Sequence, residues 1–161
     1  MQVRKAVHPL LMEPVYWRNR LTEMGTMRQS VMIVPRPDLS RAGLEVVEFR
    51  LKAHDGVRLW GLLSRPGWRG GVRPARIRMV GPAERPMVDT RALDQGYADF
   101  IFQEPAGRRL EDRVLDVIRV AQMAFGTDGV DRGQVSFSCP TGRREPDEFL
   151  IAQQLLDGRF L

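Results

Sequence analysis

The sequence predicts an α/β domain. An N-terminal antiparallel hairpin leads into mainly parallel strands with flanking helices, and an N-terminal arm precedes them. Three observations predict this. "LEVVEFRLKAHDG" alternates apolar and charged residues with a period of two. Short strand-like and helix-like stretches then take turns along the chain. "RRLEDRVLDVIRVAQMAFG" carries an apolar stripe at helical spacing. The arm covers 1–40 and the domain 41–161.

In the arm, "PVYWRNRLTEMGTM" spaces Trp17, Leu21 and Met24 as one short amphipathic helix. "VMIVPRPDLSRAG" reads as an extended piece broken by Pro35 and Pro37. Two readings stay open: the arm packs along its own domain, or it embraces a partner. In "LEVVEFRLKAHDG", Val47, Phe49, Leu51 and Ala53 face one way, and Glu48, Arg50 and Lys52 the other, so one face is buried and one wet. His54-Asp55-Gly56 supplies the turn, and "VRLWGLLSRP" returns as the partner strand. "GWRGGVRP" is a surface loop; it lacks the lysine and hydroxyl residue of a phosphate-binding loop. "ARIRMVG" is a third strand, and "DTRALDQGYADFIFQ" a helix, a glycine stop and a fourth strand. On the long helix, Leu110, Val114, Val117, Ile118, Ala121 and Phe125 share a face, and Gly126 ends it. Glu111, Asp112, Arg113, Asp116 and Arg119 lie largely off that stripe; the acidic edge Glu111, Asp112 and Asp116 reads as solvated. "GQVSFS" is a fifth strand. "PDEFLIAQQLLDG" is a last helix, with Pro146 at its start, Asp147 and Glu148 at the positive end of its dipole, and Gly158 past its end.

The totals narrow the function. The 161 residues suit one domain, and 43% hydrophobic content supplies a core. The net charge of +5 is carried almost wholly by arginine, the only lysines being Lys5 and Lys52. Acids are interspersed throughout and no basic run carries interleaved aromatics, so no nucleic-acid groove is expected. Cys139 is the single cysteine, which excludes an intrachain disulfide. No apolar run approaches the ~20 residues of a membrane span. The N-terminus lacks a signal-peptide pattern. A cytoplasmic protein is expected, with peripheral association with a membrane complex left open. No metal or cofactor motif is present: His8 and His54 are far apart in the chain, and His54 reads as a solvated turn residue.

Four segments together resemble the α/β-hydrolase superfamily, in its acetyl xylan esterase-like branch. "FRLKAHDGVRLWGLLSRP" resembles the opening hairpin. "ALDQGYADFIFQEPAGR" resembles the helix and strand leading into an R-G loop. "RRLEDRVLDVIRVAQMAFGTDGVDRGQVSFS" resembles the helix and strand before the nucleophile, and "IAQQLLDGRF" the helix after it. The resemblance covers about 45–160 and implies that fold, shortened after the nucleophile helix, with the fifth strand as a sheet edge.

It also implies a place for the chemistry: a G-x-S-x-G elbow on a strained strand-to-helix turn, with the acid and the histidine following in chain order. Counting on from Val135, that place falls on Cys139-Pro140-Thr141-Gly142-Arg143, with cysteine and arginine at the glycine positions and threonine at that of serine. Centring it on Ser138 or Cys139 restores neither glycine. No histidine follows the turn, and Val80 stands where the oxyanion loop would open on histidine, beside a retained Gly81. A serine or cysteine without a base is not an activated nucleophile. Ser138, Cys139 and Thr141 are therefore vestigial elbow positions. Cys139 reads as a buried inert thiol, with a reactive thiol near a helix start as the other reading. The expected role is a non-catalytic accessory or assembly subunit, in contact with a protein partner or a second copy through Trp17, Arg18, Arg20, Arg143 and Arg144. The alternative is a carbohydrate or carboxyl esterase with an atypical or partner-completed site.

Overall fold

The computed structural model describes residues 14–26, 30–67, 71–138 and 146–157. Ten elements follow one another: α1 (Pro14–Thr26), β1 (Met32–Pro35), β2 (Leu44–Lys52), β3 (Arg58–Pro66), β4 (Arg73–Val80), α2 (Thr90–Asp94), β5 (Ala98–Gln103), α3 (Leu110–Phe125), β6 (Val130–Phe137) and α4 (Asp147–Leu156). The strands form one sheet in the order β1-β2-β3-β5-β4-β6. β1, β2, β3 and β5 pair antiparallel in succession, and β4 lies parallel to both β5 and β6. The sheet is therefore mixed, with helices after its parallel strands, as the sequence predicts.

The alternation in β2 sets its register. Val47, Phe49 and Leu51 point into the main core, where they meet Leu59 and Leu63 of β3, Phe100 and Phe102 of β5, and the apolar side of α3. Gly61 lies opposite Phe49 and Phe102 in the ladders, and it leaves room for the Phe49 ring to lie across β3. Gly56, with φ of 84°, takes the left-handed position of the β2–β3 turn. α4 packs on α3, and Phe149 stacks on Phe137 of β6 with ring centroids 5.4 Å apart.

The other face of the sheet is largely polar. Val46, Leu62 and Ile101 make a small apolar cluster, with Leu39, Leu44, Val80 and Val88 packed against it. Beside it lies a charge network centred on Asp99, which is 0% exposed. The Arg78 guanidinium donates to both Asp99 oxygens at 2.9 and 2.6 Å, and Arg76 Nε donates to the same carboxylate at 3.1 Å. Arg76 also donates to Asp89 at 2.9 Å. Parallel strands normally have both faces covered by apolar packing; here buried ion pairs take part of that role. Glu48 departs from the wet-face expectation: Arg50 and Arg36 close over it at 2.6 and 3.7 Å, leaving it buried.

The long helix differs from its predicted half-wet form. Asp116 and Arg119 are 1% and 2% exposed. Arg119 Nε donates to the Lys52 carbonyl, which draws that side of α3 onto the end of β2. Burial lowers the Arg119 pKa from its ordinary value. Gly126 does end α3, but in right-handed backbone, its N–H taken by the last-turn carbonyls. α4 is capped by Pro146 and Asp157, and Gly158 lies outside the described residues.

Part of the stretch expected as an arm is built into the sheet and core. β1 adds to β2 by antiparallel pairing from Met32↔Arg50 to Pro35↔Val47. Trp17 and Met24 of α1 join the main core. At the opposite side of the sheet, β6 is the edge among the described residues, as the fold resemblance implies for the fifth strand of the hydrolase-like part. Its pairing with β4 shifts register between Arg73 and Ala75, and Asp131 Oδ1 accepts from the Gly133 N–H at this break.

Candidate functional site

In parallel α/β sheets, ligands and catalytic groups gather at the carboxyl ends of the strands. Here those ends are Val80 of β4, Gln103 of β5 and Phe137 of β6. Ser138 follows β6 directly, half-buried, and its N–H donates to the Ile77 carbonyl at 3.0 Å. Cys139, Thr141, Arg143 and Arg144 lie outside the described residues. α4 follows, and the Phe137–Phe149 stack holds it to β6.

The loop after β4 is pinned. Gln103 Nε2 donates to the carbonyls of Pro82 and Glu84 at 3.0 and 2.7 Å, and Gln103 Oε1 accepts from Trp60 Nε1 at 2.8 Å. The Glu84 N–H is used within the turn, on the Gly81 carbonyl. These carbonyls and this N–H of the loop are thereby engaged within the fold.

Two charge clusters flank the same end. Arg113, in the first turn of α3, faces Glu104 and Glu148 at 3.5 Å each and donates to the Arg108 carbonyl. Burial raises the Glu104 pKa, against the lowering pull of Arg113. The second cluster is built on Arg108, whose guanidinium holds both oxygens of buried Asp116, at 3.0 and 2.7 Å, and also the Asp55 carboxylate. Burial raises the Asp116 pKa despite that contact, whereas the Arg108 hydrogen bond lowers the pKa of Asp55.

His54 belongs to this second cluster, which corrects its expected place in a solvated turn. Its side chain is only 15% exposed, and its Nε2 lies 3.4 Å from Asp112 Oδ1. Asp112 and Asp116 likewise leave the solvated edge expected of them, because the hairpin turn and Arg108 close over it. His54, Asp55 and Asp112 bring one possible ligand atom each within 4.8 Å of one another. Sequence reasoning missed this grouping. The signal was a histidine-aspartate pair in a turn and an acidic first helical turn, 58 residues apart along the chain.

This histidine does not serve Ser138. The hairpin turn caps β2 and β3, and β3 is three places from β6 in the sheet order. At ~4.8 Å per strand that is about 14 Å sideways, against the ~3 Å that proton transfer needs. Among the described residues no histidine is placed to act as base for Ser138.

Of the expected partner contacts, Trp17 is 0% exposed and committed to the chain's own core, with Tyr16 packed edge-on at 5.2 Å. Arg18 is exposed. Arg20 lies over the Tyr16 ring at 5.5 Å and pairs with Glu23 at 3.2 Å. No described helix is long and apolar enough to cross a membrane.

This order of strands, with its hairpin, its parallel core and a helix after the last strand, is the α/β-hydrolase fold. Among solved structures the chain is similar to the acetyl xylan esterase from Paenibacillus sp. R4, at 12% identity and a TM-score of 0.67, over 86% of this chain and 53% of that one. It is similar to acetyl xylan esterase 1 from Thermoanaerobacterium sp. JW/SL YS485, at 17% identity and a TM-score of 0.63, over 80% and 50% of the two chains. A cold-adapted esterase from an Arctic intertidal metagenomic library shares 12% identity and a TM-score of 0.52, over 69% and 54%. The chain thus spans about half the length of the structures it matches. No family model and no curated protein sequence matches it.

Proposed function

We propose that the chain is a non-catalytic α/β-hydrolase-like scaffold, acting as an accessory or assembly subunit through protein–protein contacts. The observation that carries this reading is the separation of Ser138 from His54 by three strand positions, with no other histidine placed to replace it among the described residues. A hydroxyl without a base hydrolyses esters no faster than its surroundings allow, and a fold without its site remains a surface. The position of β6 as an edge among the described residues supports the assembly part, because an edge strand presents N–H and C=O groups that a second chain can take. Arg18, Arg20, Arg143 and Arg144 are the side chains proposed for partner contact; Trp17 is withdrawn from that set by its burial.

The second reading is an esterase whose site is completed by a partner. It is favoured by Ser138 standing at the carboxyl end of β6, ahead of a helix stacked on that strand. Hydrolysis of p-nitrophenyl acetate separates the two, with Ser138→Ala, Cys139→Ala and Thr141→Ala as controls. The first reading expects only background turnover, equal in all four proteins. Turnover abolished by one of these substitutions overturns it. Light scattering on the purified chain and affinity purification from native cells test the assembly part; a stable monomer with no co-eluting protein argues against it.

A further inference from the structure

We propose that His54, Asp55 and Asp112 form a binding site for a divalent transition-metal ion of the zinc class, which clips the β2–β3 turn to the first turn of α3. Imidazole nitrogen with carboxylate oxygen is a donor set that zinc accepts, whereas magnesium and calcium require oxygen alone. Bonds of ~2.0–2.1 Å at the tetrahedral angle place neighbouring ligand atoms about 3.4 Å apart. His54 Nε2 and Asp112 Oδ1 already stand at 3.4 Å. The three ligand atoms lie within 4.8 Å of one another; both Asp55 oxygens accept from Arg108, so one of them would turn to the ion while the other stays on the guanidinium.

A second observation points the same way. His54 Nδ1 is buried and finds no hydrogen-bond partner among the described residues. A ring 15% exposed and held by one 3.4 Å approach to a carboxylate among the described residues lacks the bonds that normally fix a histidine. An ion held at Nε2, between the turn and the helix, would fix the ring, with Nδ1 outside its coordination. The local charge permits it: Asp55, Asp112 and Asp116 face Arg108 and the exposed Arg109, leaving one negative charge in excess. The site differs from the elbow in both place and chemistry, and it stands whether or not the chain is an enzyme.

The test is calorimetric titration of the full chain with Zn²⁺, with Mg²⁺ as the hard-ion control, and a parallel visible spectrum with Co²⁺. One saturable Zn²⁺ equivalent, no Mg²⁺ heat and a tetrahedral Co²⁺ band are expected. A hundredfold excess of Zn²⁺ over Kd raises Tm by about 5–10 °C. His54→Ala and the nearly isosteric Asp112→Asn each weaken binding tenfold or more, with unchanged far-ultraviolet circular dichroism. His8→Ala and Cys139→Ala leave it intact. The absence of a stoichiometric site, or binding that survives Asp112→Asn and is lost with His8→Ala or Cys139→Ala, overturns the proposal.

Discussion

Replacing Gly61 with alanine sets two effects of opposite sign against each other. Propensity favours the change, since glycine inside a strand costs roughly 0.5–1 kcal/mol relative to alanine. Space opposes it. A methyl group there would lie 2.1 Å from the Ile101 carbonyl oxygen, 2.6 Å from Phe49 Cζ and 2.8 Å from Phe102 Cα. Two of these atoms are backbone of the neighbouring strand, and β3 is hydrogen-bonded to β2 on one side and β5 on the other, so it cannot move away. Overpacking of this kind costs typically ~1–3 kcal/mol, and a rigid neighbour places it at the upper end. Space wins by about 2 kcal/mol, a fall in Tm of roughly 4–8 °C for a chain of this size. Urea unfolding followed by tryptophan fluorescence measures it. Adding Phe49→Leu removes only the Cζ contact, so little of the loss is recovered. An unchanged or raised midpoint for Gly61→Ala, or full recovery in the double variant, refutes the packing argument.

Asp99→Ala leaves Arg78 without its carboxylate in a part-buried position and costs about 3–5 kcal/mol in urea unfolding, while Asp89→Ala, at the more exposed end of the same network, costs far less. Arg108→Gln strips the counter-charge from buried Asp116, whose pKa burial already raises; the folded state then takes up a proton more readily than the unfolded one, and stability falls as pH rises. The variant's deficit in Tm is therefore larger at pH 8 than at pH 5, and a flat difference contradicts this. Glu104→Gln behaves by the same sign: the raised Glu104 pKa makes the native chain gain stability on acidification, so the variant compares more favourably at pH 8 than at pH 5 in parallel thermal scans.

What the sequence made legible was local. The apolar face from Val47 to Ala53, the stripe from Leu110 to Phe125 and the Gly56 turn each depend on residues a few positions apart, and the structure places them as read, Glu48 on the opposite face excepted. Resemblance supplied the order of the pieces, and with it the edge position of β6. What stayed hidden required partners far along the chain. Arg119 reads as a surface residue until the Lys52 carbonyl meets it. Asp116 does so until Arg108 folds back over it. Trp17 has the composition of an interface anchor, and only tertiary packing reveals it as core. The lack of flanking glycines around Ser138, Cys139 and Thr141 was legible because it is a one-dimensional fact; the His54–Asp112 pair was not, because the hairpin and the helix had first to be brought together.

The two borders of the sheet are unlike: β1 is antiparallel to its neighbour, and β6 is parallel to its own. Copies that joined β1 of one to β6 of the next would use two different surfaces, a heterologous contact with no reason to close on itself. Such a contact propagates, and its product is a fibre. β1 is only four residues long and ends in Pro35, which has no N–H to offer. β6 is broken by its register shift and by the Asp131–Gly133 contact. Among the described residues, each border thereby limits how far a foreign strand can run along it, which disfavours polymerisation through these edges.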